Sequence, residues 1–119
     1  MSGISCHVLD TSRGRPAAGI SVRLERQKPP AVAGAEPSWE LLTKAQTNGD
    51  GRAIDLEGRA GMARGLHRLS FETEAYFRRE SQPIFYPEVQ VLFMVASETE
   101  RYHVPLLLSP FGYSTYRGS

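Results

Sequence analysis

Short runs in which apolar and polar residues alternate one for one, cut off by Gly, Pro, Asn or Asp, constrain this chain more than any other feature. Successive side chains on a strand point to opposite faces, so such a run buries one face and wets the other. The clearest is "GISVRLER", where Ile20, Val22 and Leu24 alternate with Ser21, Arg23 and Glu25. "ISCHVLD", "WELLTKAQT", "GLHRLSFET", "PEVQVLFMVAS", "YHVPLLLS" and "YSTY" follow the same rule. Seven or so strands in 119 residues predict an all-β fold of two stacked antiparallel sheets. One segment departs from the period. After Thr73, read as an N-cap, "EAYFRRE" carries good helix formers with Glu74 in its first turn, and predicts one short helix. "QKPPAVAGAEPS", from Gln27 to Ser38, reads as an exposed connection between strands. Nothing marks a boundary, so residues 1–119 are expected to form a single domain.

The totals exclude several classes of function. A net charge of +1 gives no electrostatic footprint for nucleic acid. No run approaches transmembrane length, and the start "MSGISCHVLD" lacks the pattern of a signal peptide. One cysteine excludes an internal disulfide and fits a reducing compartment, so a cytoplasmic protein is expected.

Parity assigns the histidines to faces. Ile4, Cys6 and Val8 form the natural core side of the first strand, which turns Ser5, His7 and Leu9 outward. Tyr102, Val104, Leu106 and Leu108 likewise leave His103, Pro105 and Leu107 on the outer side. His67 shares parity with Leu69 and Phe71 and reads as a partly buried strand histidine with a satisfied hydrogen bond. Neighbours on one strand cannot bring a thiol to an imidazole, so Cys6 is a small core residue rather than a nucleophile. The three histidines stand on separate strands without ligand spacing, and no metal or other cofactor is expected. Arg52 directly follows the turn "TNGDGR", whose residue types suit positive backbone dihedrals, and so projects from a defined strand end. Leu92, Met94, Pro105 and Leu107 make the outward set unusually apolar, which predicts that a second copy covers it. His7, His103 and Arg52 then either line a groove between subunits or are ordinary surface residues.

Several stretches together carry a resemblance: "CHVLDTSRGRPAAGISVRLER", "TNGDGR", "LSFETEAYF", "FYPEVQVLF" and "YHVPLLLSPFGYSTYRGS". In this order, over nearly the whole chain, they resemble the 5-hydroxyisourate hydrolase branch of the transthyretin-like family. "HVLD" and the terminal "YRGS" are the most specific, while the connection from Gln27 to Ser38 is longer than is usual there. The resemblance implies a transthyretin-like (prealbumin-like) sandwich of two four-stranded sheets with one short helix, assembled as a homotetramer, a dimer of dimers. It implies hydrolysis of 5-hydroxyisourate, in urate degradation, to 2-oxo-4-hydroxy-4-carboxy-5-ureidoimidazoline, with neither nucleic acid nor membrane as partner. The implied catalytic residues are His7, Arg52, His103 and Ser119. The implied substrate-binding residues are His7, Arg52, Tyr116, Arg117 and Gly118, so that the terminal run forms a wall of the site. Which histidine acts as base stays open. The rival readings are a zinc amidohydrolase, a non-enzymatic carrier of a small aromatic ligand on the same fold, and a bare structural module.

Overall fold

The computed structural model describes residues 2–119. In chain order the elements are β1 (Gly3–Asp10), β2 (Arg15–Pro16), β3 (Ser21–Lys28), β4 (Ser38–Gln46), β5 (Arg52–Ala53), a 3-10 turn (Gly58–Ala60), β6 (Gly65–Glu72), α1 (Thr73–Arg79), β7 (Val89–Val95), β8 (Arg101–Ser109) and β9 (Gly112–Thr115). One sheet has the order β4-β3-β6-β7. The other runs β2-β1-β8-β9, and β5 pairs with the same edge of β1 as β2. This is the transthyretin-like sandwich, with β5 as an addition to the expected pair of four-stranded sheets.

One strand pair departs from the antiparallel expectation. β1 and β8 run parallel, with Ser5 opposite His103 and His7 opposite Pro105. Parallel neighbours need a long crossover, and here every element between β1 and β8 supplies it. Alternation within a strand is blind to the direction of its partner, so the pattern could not announce this pairing.

The inner faces are those that parity assigns. Ile4, Cys6 and Val8 of β1 meet Leu106 and Leu108 of β8, Val22 and Leu24 of β3, and Leu69 and Phe71 of β6, all buried. Each such side chain contributes about 1.5–3 kcal/mol relative to exposure. Cys6 belongs to this core, and burial pushes its thiol up to about 12, so it stays protonated and inert. α1 closes one end of the sandwich with Tyr76 and Phe77. Thr73 is not its N-cap: it is the first helical residue, buried, and its hydroxyl donates to the Tyr86 carbonyl instead.

Two motif residues act as scaffold. Burial alone would raise the Asp10 carboxyl, yet donors from Tyr76, Ser12 and Arg13 together hold it below its ordinary value. The Tyr76 hydroxyl reaches it at 2.6 Å and so ties the β1–β2 turn to α1. Thr47, also buried, donates to the Ala17 carbonyl and accepts from the Ile20 amide.

The apolar outward set proves to be divided. Leu92 and Met94 are 59% and 60% exposed on β7, an edge strand of one sheet, whereas Pro105 and Leu107 stand on β8 of the other. They do not form one continuous face, because adjacent strands in sequence went to different sheets.

Candidate active site

The outer face of the β2-β1-β8-β9 sheet gathers the chemistry. His7 and His103 point out of adjacent strands with ring centroids 6.4 Å apart. β5 brings Arg52 opposite His7 on the other side of β1. The turn before β5 fixes that placement. The Asn48 side-chain carbonyl accepts the amides of Asp50 and Arg52 at 2.9 and 3.0 Å, and the Asn48 amide donates to the Arg52 carbonyl. Of the turn's residues, Gly51 is the one with a positive φ, 75°, and the Val8 amide donates to its carbonyl. A Cβ at Gly51 would run into the Val8 carbonyl, so glycine is required for the turn to lie against β1.

The guanidinium of Arg52 is exposed and, among the described residues, forms no ion pair. Arginine is planar and always charged, and its donors match carbonyl and oxyanion edges. A pocket of about 170 Å³ is lined by Ser5, Arg52, Ile54, Arg101, His103 and Ser119.

His103 is held on several sides. Its Nδ1 lies 2.8 Å from the hydroxyl of Ser5, the residue opposite it in register. The Gly118 amide donates to the His103 carbonyl at 2.8 Å, and a Cβ at Gly118 would sit 2.6 Å from Cδ2 of the His103 ring. Only a residue without a side chain lets the terminal run lie against the imidazole. Burial, then the positive charges of Arg52, His7 and Arg101, hold the His103 imidazole below its usual value. It is therefore a neutral base at neutral pH.

The other named positions fall elsewhere. Tyr116 and Arg117 line a neighbouring groove of about 330 Å³ between the sheet edges, together with Leu92, Phe93, Met94 and His103. Arg117 packs over the Tyr102 ring at 4.5 Å and donates to Glu100 and to the Arg101 carbonyl, so its guanidinium is committed away from the Arg52 pocket. His67 is fully buried inside the other sheet. Its Nδ1 lies 3.0 Å from the Gly65 carbonyl, but its Nε2 has no partner, so it is less satisfied than its parity suggested. Among the described residues no cluster of His, Cys, Asp and Glu fit to hold a metal is present. Sequence reasoning passed over Ser5, Ile54 and Arg101. The signal for Ser5 was available, since it shares the outward parity of His7 two residues away.

The chain is similar to known proteins along its length. A 5-hydroxyisourate hydrolase of Halalkalibacterium halodurans is 48% identical, with both chains covered in full. The solved structure of Klebsiella pneumoniae 5-hydroxyisourate hydrolase superposes with a TM-score of 0.81 at 35% identity, again over the whole of both chains. Sea bream transthyretin, solved with thyroxine, shares the fold with a TM-score of 0.85 at 25% identity, over 97% of this chain and 93% of that one. The family described as HIUase/Transthyretin matches residues 4–118, and by that match, and by its likeness to these proteins along its length, the chain belongs to the HIUase/Transthyretin family.

Proposed function

We propose that the chain hydrolyses 5-hydroxyisourate, opening its ring amide to give 2-oxo-4-hydroxy-4-carboxy-5-ureidoimidazoline. The observation that carries this reading is the convergence of His7, Arg52, His103 and Ser119 on one outer face, with a guanidinium that no carboxylate neutralises. Water adds to a ring carbonyl carbon as its proton passes to His103, the imidazole that is oriented and kept neutral. Arg52 donates to the oxygen on which negative charge develops. The new C–O bond forms, the C–N bond breaks, and the proton on His103 moves to the departing nitrogen. His7 and Ser119 bind the edge of the heterocycle. Gly118 keeps the terminal run against His103, and Tyr116 and Arg117 contribute substrate contacts from the adjoining groove. The reaction needs no cofactor in this scheme.

A pocket of about 170 Å³ is small beside the ~300–1,000 Å³ of ordinary ligand sites. Leu107 and Leu9, half-buried and outward beside the histidines, offer an apolar strip that a second copy would cover, whereas Pro105 is already buried. We therefore assign a homotetramer, a dimer of dimers, in which a facing subunit deepens the pocket. Among the described residues no helix is long and apolar enough to cross a membrane. We place the enzyme in the cytoplasm, in purine degradation. Freshly oxidised urate, followed by ultraviolet absorbance, tests the activity: added protein is expected to speed the decay of 5-hydroxyisourate, and decay at the spontaneous rate would favour the carrier reading. Light scattering tests the assembly, with a tetramer expected and its loss in Leu107→Glu, because an unpaired charge cannot be buried cheaply.

A further inference from the structure

Ser5 stands on β1 beside the working end of β8. Parallel register sets it directly opposite His103, both side chains point outward, and the hydroxyl meets Nδ1 at 2.8 Å. The contact is half-buried, so water does not freely replace it. Gly118 lies so close to the same ring that an added Cβ would come within 2.6 Å of Cδ2 and 3.4 Å of Cγ. The imidazole is thus fixed in orientation, and Nδ1 is taken. Nε2 remains for proton transfer.

A neutral imidazole carries one N–H, and what the second nitrogen does follows from the bond made by the first. If the proton is on Nδ1, the hydroxyl accepts it and Nε2 keeps its lone pair. If the proton is on Nε2, the ring has no basic nitrogen facing the substrate. Arg52 from β5 and Arg101 of its own strand bring positive charge to His103, and the Ser119 terminus lines the same pocket, but the group that meets Nδ1 is the Ser5 hydroxyl. That hydroxyl is therefore positioned to set the tautomer.

We propose that Ser5 is a positioning residue for the hydrolysis: its Oγ accepts the Nδ1–H of His103 and so leaves the Nε2 lone pair to take the proton of the attacking water. This rests on the hydrolase reading above. When Nε2 takes that proton, the Nδ1–H···Oγ bond gains a charged donor and strengthens as the imidazolium forms. When Nε2 returns the proton to the leaving nitrogen, the starting tautomer is restored. The arrangement follows the nucleophile–base–orienter logic, with water as nucleophile and a neutral hydroxyl as orienter.

Ring-nitrogen NMR of histidine-labelled protein, combined with steady-state hydrolysis, tests it. In the unaltered protein at neutral pH the His103 signals are expected to report the Nδ1–H tautomer. Ser5→Ala is expected to shift that ring toward the Nε2–H form and to lower kcat by roughly tenfold or more with little change in KM. Ser5→Thr, which keeps a hydroxyl on a residue suited to strands, is expected to restore both. An Nε2–H tautomer in the unaltered protein would overturn the proposal without any variant having to fold. So would a Ser5→Ala protein whose kcat stays within twofold of the original. No acceleration by the unaltered protein would instead overturn the hydrolase reading itself.

Discussion

The two sheets of this sandwich differ in how Arg52 on one and the arginines on the other are paired. On the β4-β3-β6-β7 sheet each outward guanidinium has been given a carboxylate. Arg23 bonds Glu72 at 3.0 Å and Glu88 at 2.9 Å, and Arg68 meets Glu25 at 2.8 Å while stacking on Trp39. The guanidiniums of that face are spent on neighbouring carboxylates. On the β2-β1-β8-β9 sheet, Arg52 stands beside two imidazoles, and among the described residues it has no anionic partner. The difference separates a solvated wall from a site: cations paired within the fold are stabilised locally, while an unpaired one keeps its full interaction for a substrate.

The comparison breaks most sharply at the histidines. His103→Ala and His7→Ala are each expected to lower turnover by roughly a hundredfold or more, as removal of a proton-transfer or positioning group does. His67→Ala, in the opposite sheet, is expected to leave turnover nearly unchanged, although it opens a cavity. Steady-state rates on proteins of matched oligomeric state decide this, and full activity in either of the first two would return the outer face to the status of ordinary surface.

Gly118→Ala probes the same face with one methyl group. His103 is pinned by Ser5 and cannot swing aside from a Cβ at 2.6 Å, so either the ring or the terminal run must shift. Misplacing the base by a fraction of an ångström is expected to cost roughly tenfold to a hundredfold in kcat, with thermal unfolding little changed. Unaltered kcat would mean that the terminal run takes no part in holding the base.

Much of this contrast was legible in the sequence, and the reasons are local. Parity put His7, His103 and Ser5 outward and Cys6 inward, because alternation on a single strand needs no knowledge of the partner. The turn "TNGDGR" announced Arg52 as a strand-end residue, although it is Asn48 acting through its side chain, and one glycine of positive φ, that fix the turn. What stayed hidden depends on contacts distant in the chain. The parallel pairing of β1 with β8, the two-residue strands β2 and β5, and the assignment of β7 and β8 to different sheets leave no trace in local period. Asp10 lies within a motif that reads as functional, yet it works as a buried anchor for Tyr76.

Two imidazoles held below their ordinary value set a pH dependence, and they separate by observable. His67 is lowered mainly by burial, with the Gly65 carbonyl opposing and Arg26 adding to the effect. The unfolded chain, titrating near ~6.5, then binds the proton that the folded chain refuses. Stability from this group is therefore whole above ~6.5 and declines as pH falls below it. His103 is lowered in the same direction, so the acid limb of activity is expected below ~6.5. Thermal melts of His67→Gln are expected to lose part of the acid sensitivity while the activity profile stays in place; a shift of the activity limb in that variant would link the two faces.

The smallest effect belongs to the paired face. Glu72 is half exposed, so Glu72→Gln is expected to cost less than about 1 kcal/mol of stability, with activity unchanged. Denaturant unfolding checks it.

One pair of variants, assayed side by side on freshly generated 5-hydroxyisourate, separates the two faces. Arg52→Gln and Arg23→Gln remove the same charge from the two faces of one sandwich. Arg52→Gln is expected to lower kcat/KM by roughly a hundredfold, because a donor to the developing oxyanion is lost, while Arg23→Gln is expected to stay within about twofold, since its charge was already spent on Glu72 and Glu88. Equal rates in the two variants, with both folded and equally assembled, would contradict the placement of the active site on the outer face of the β2-β1-β8-β9 sheet.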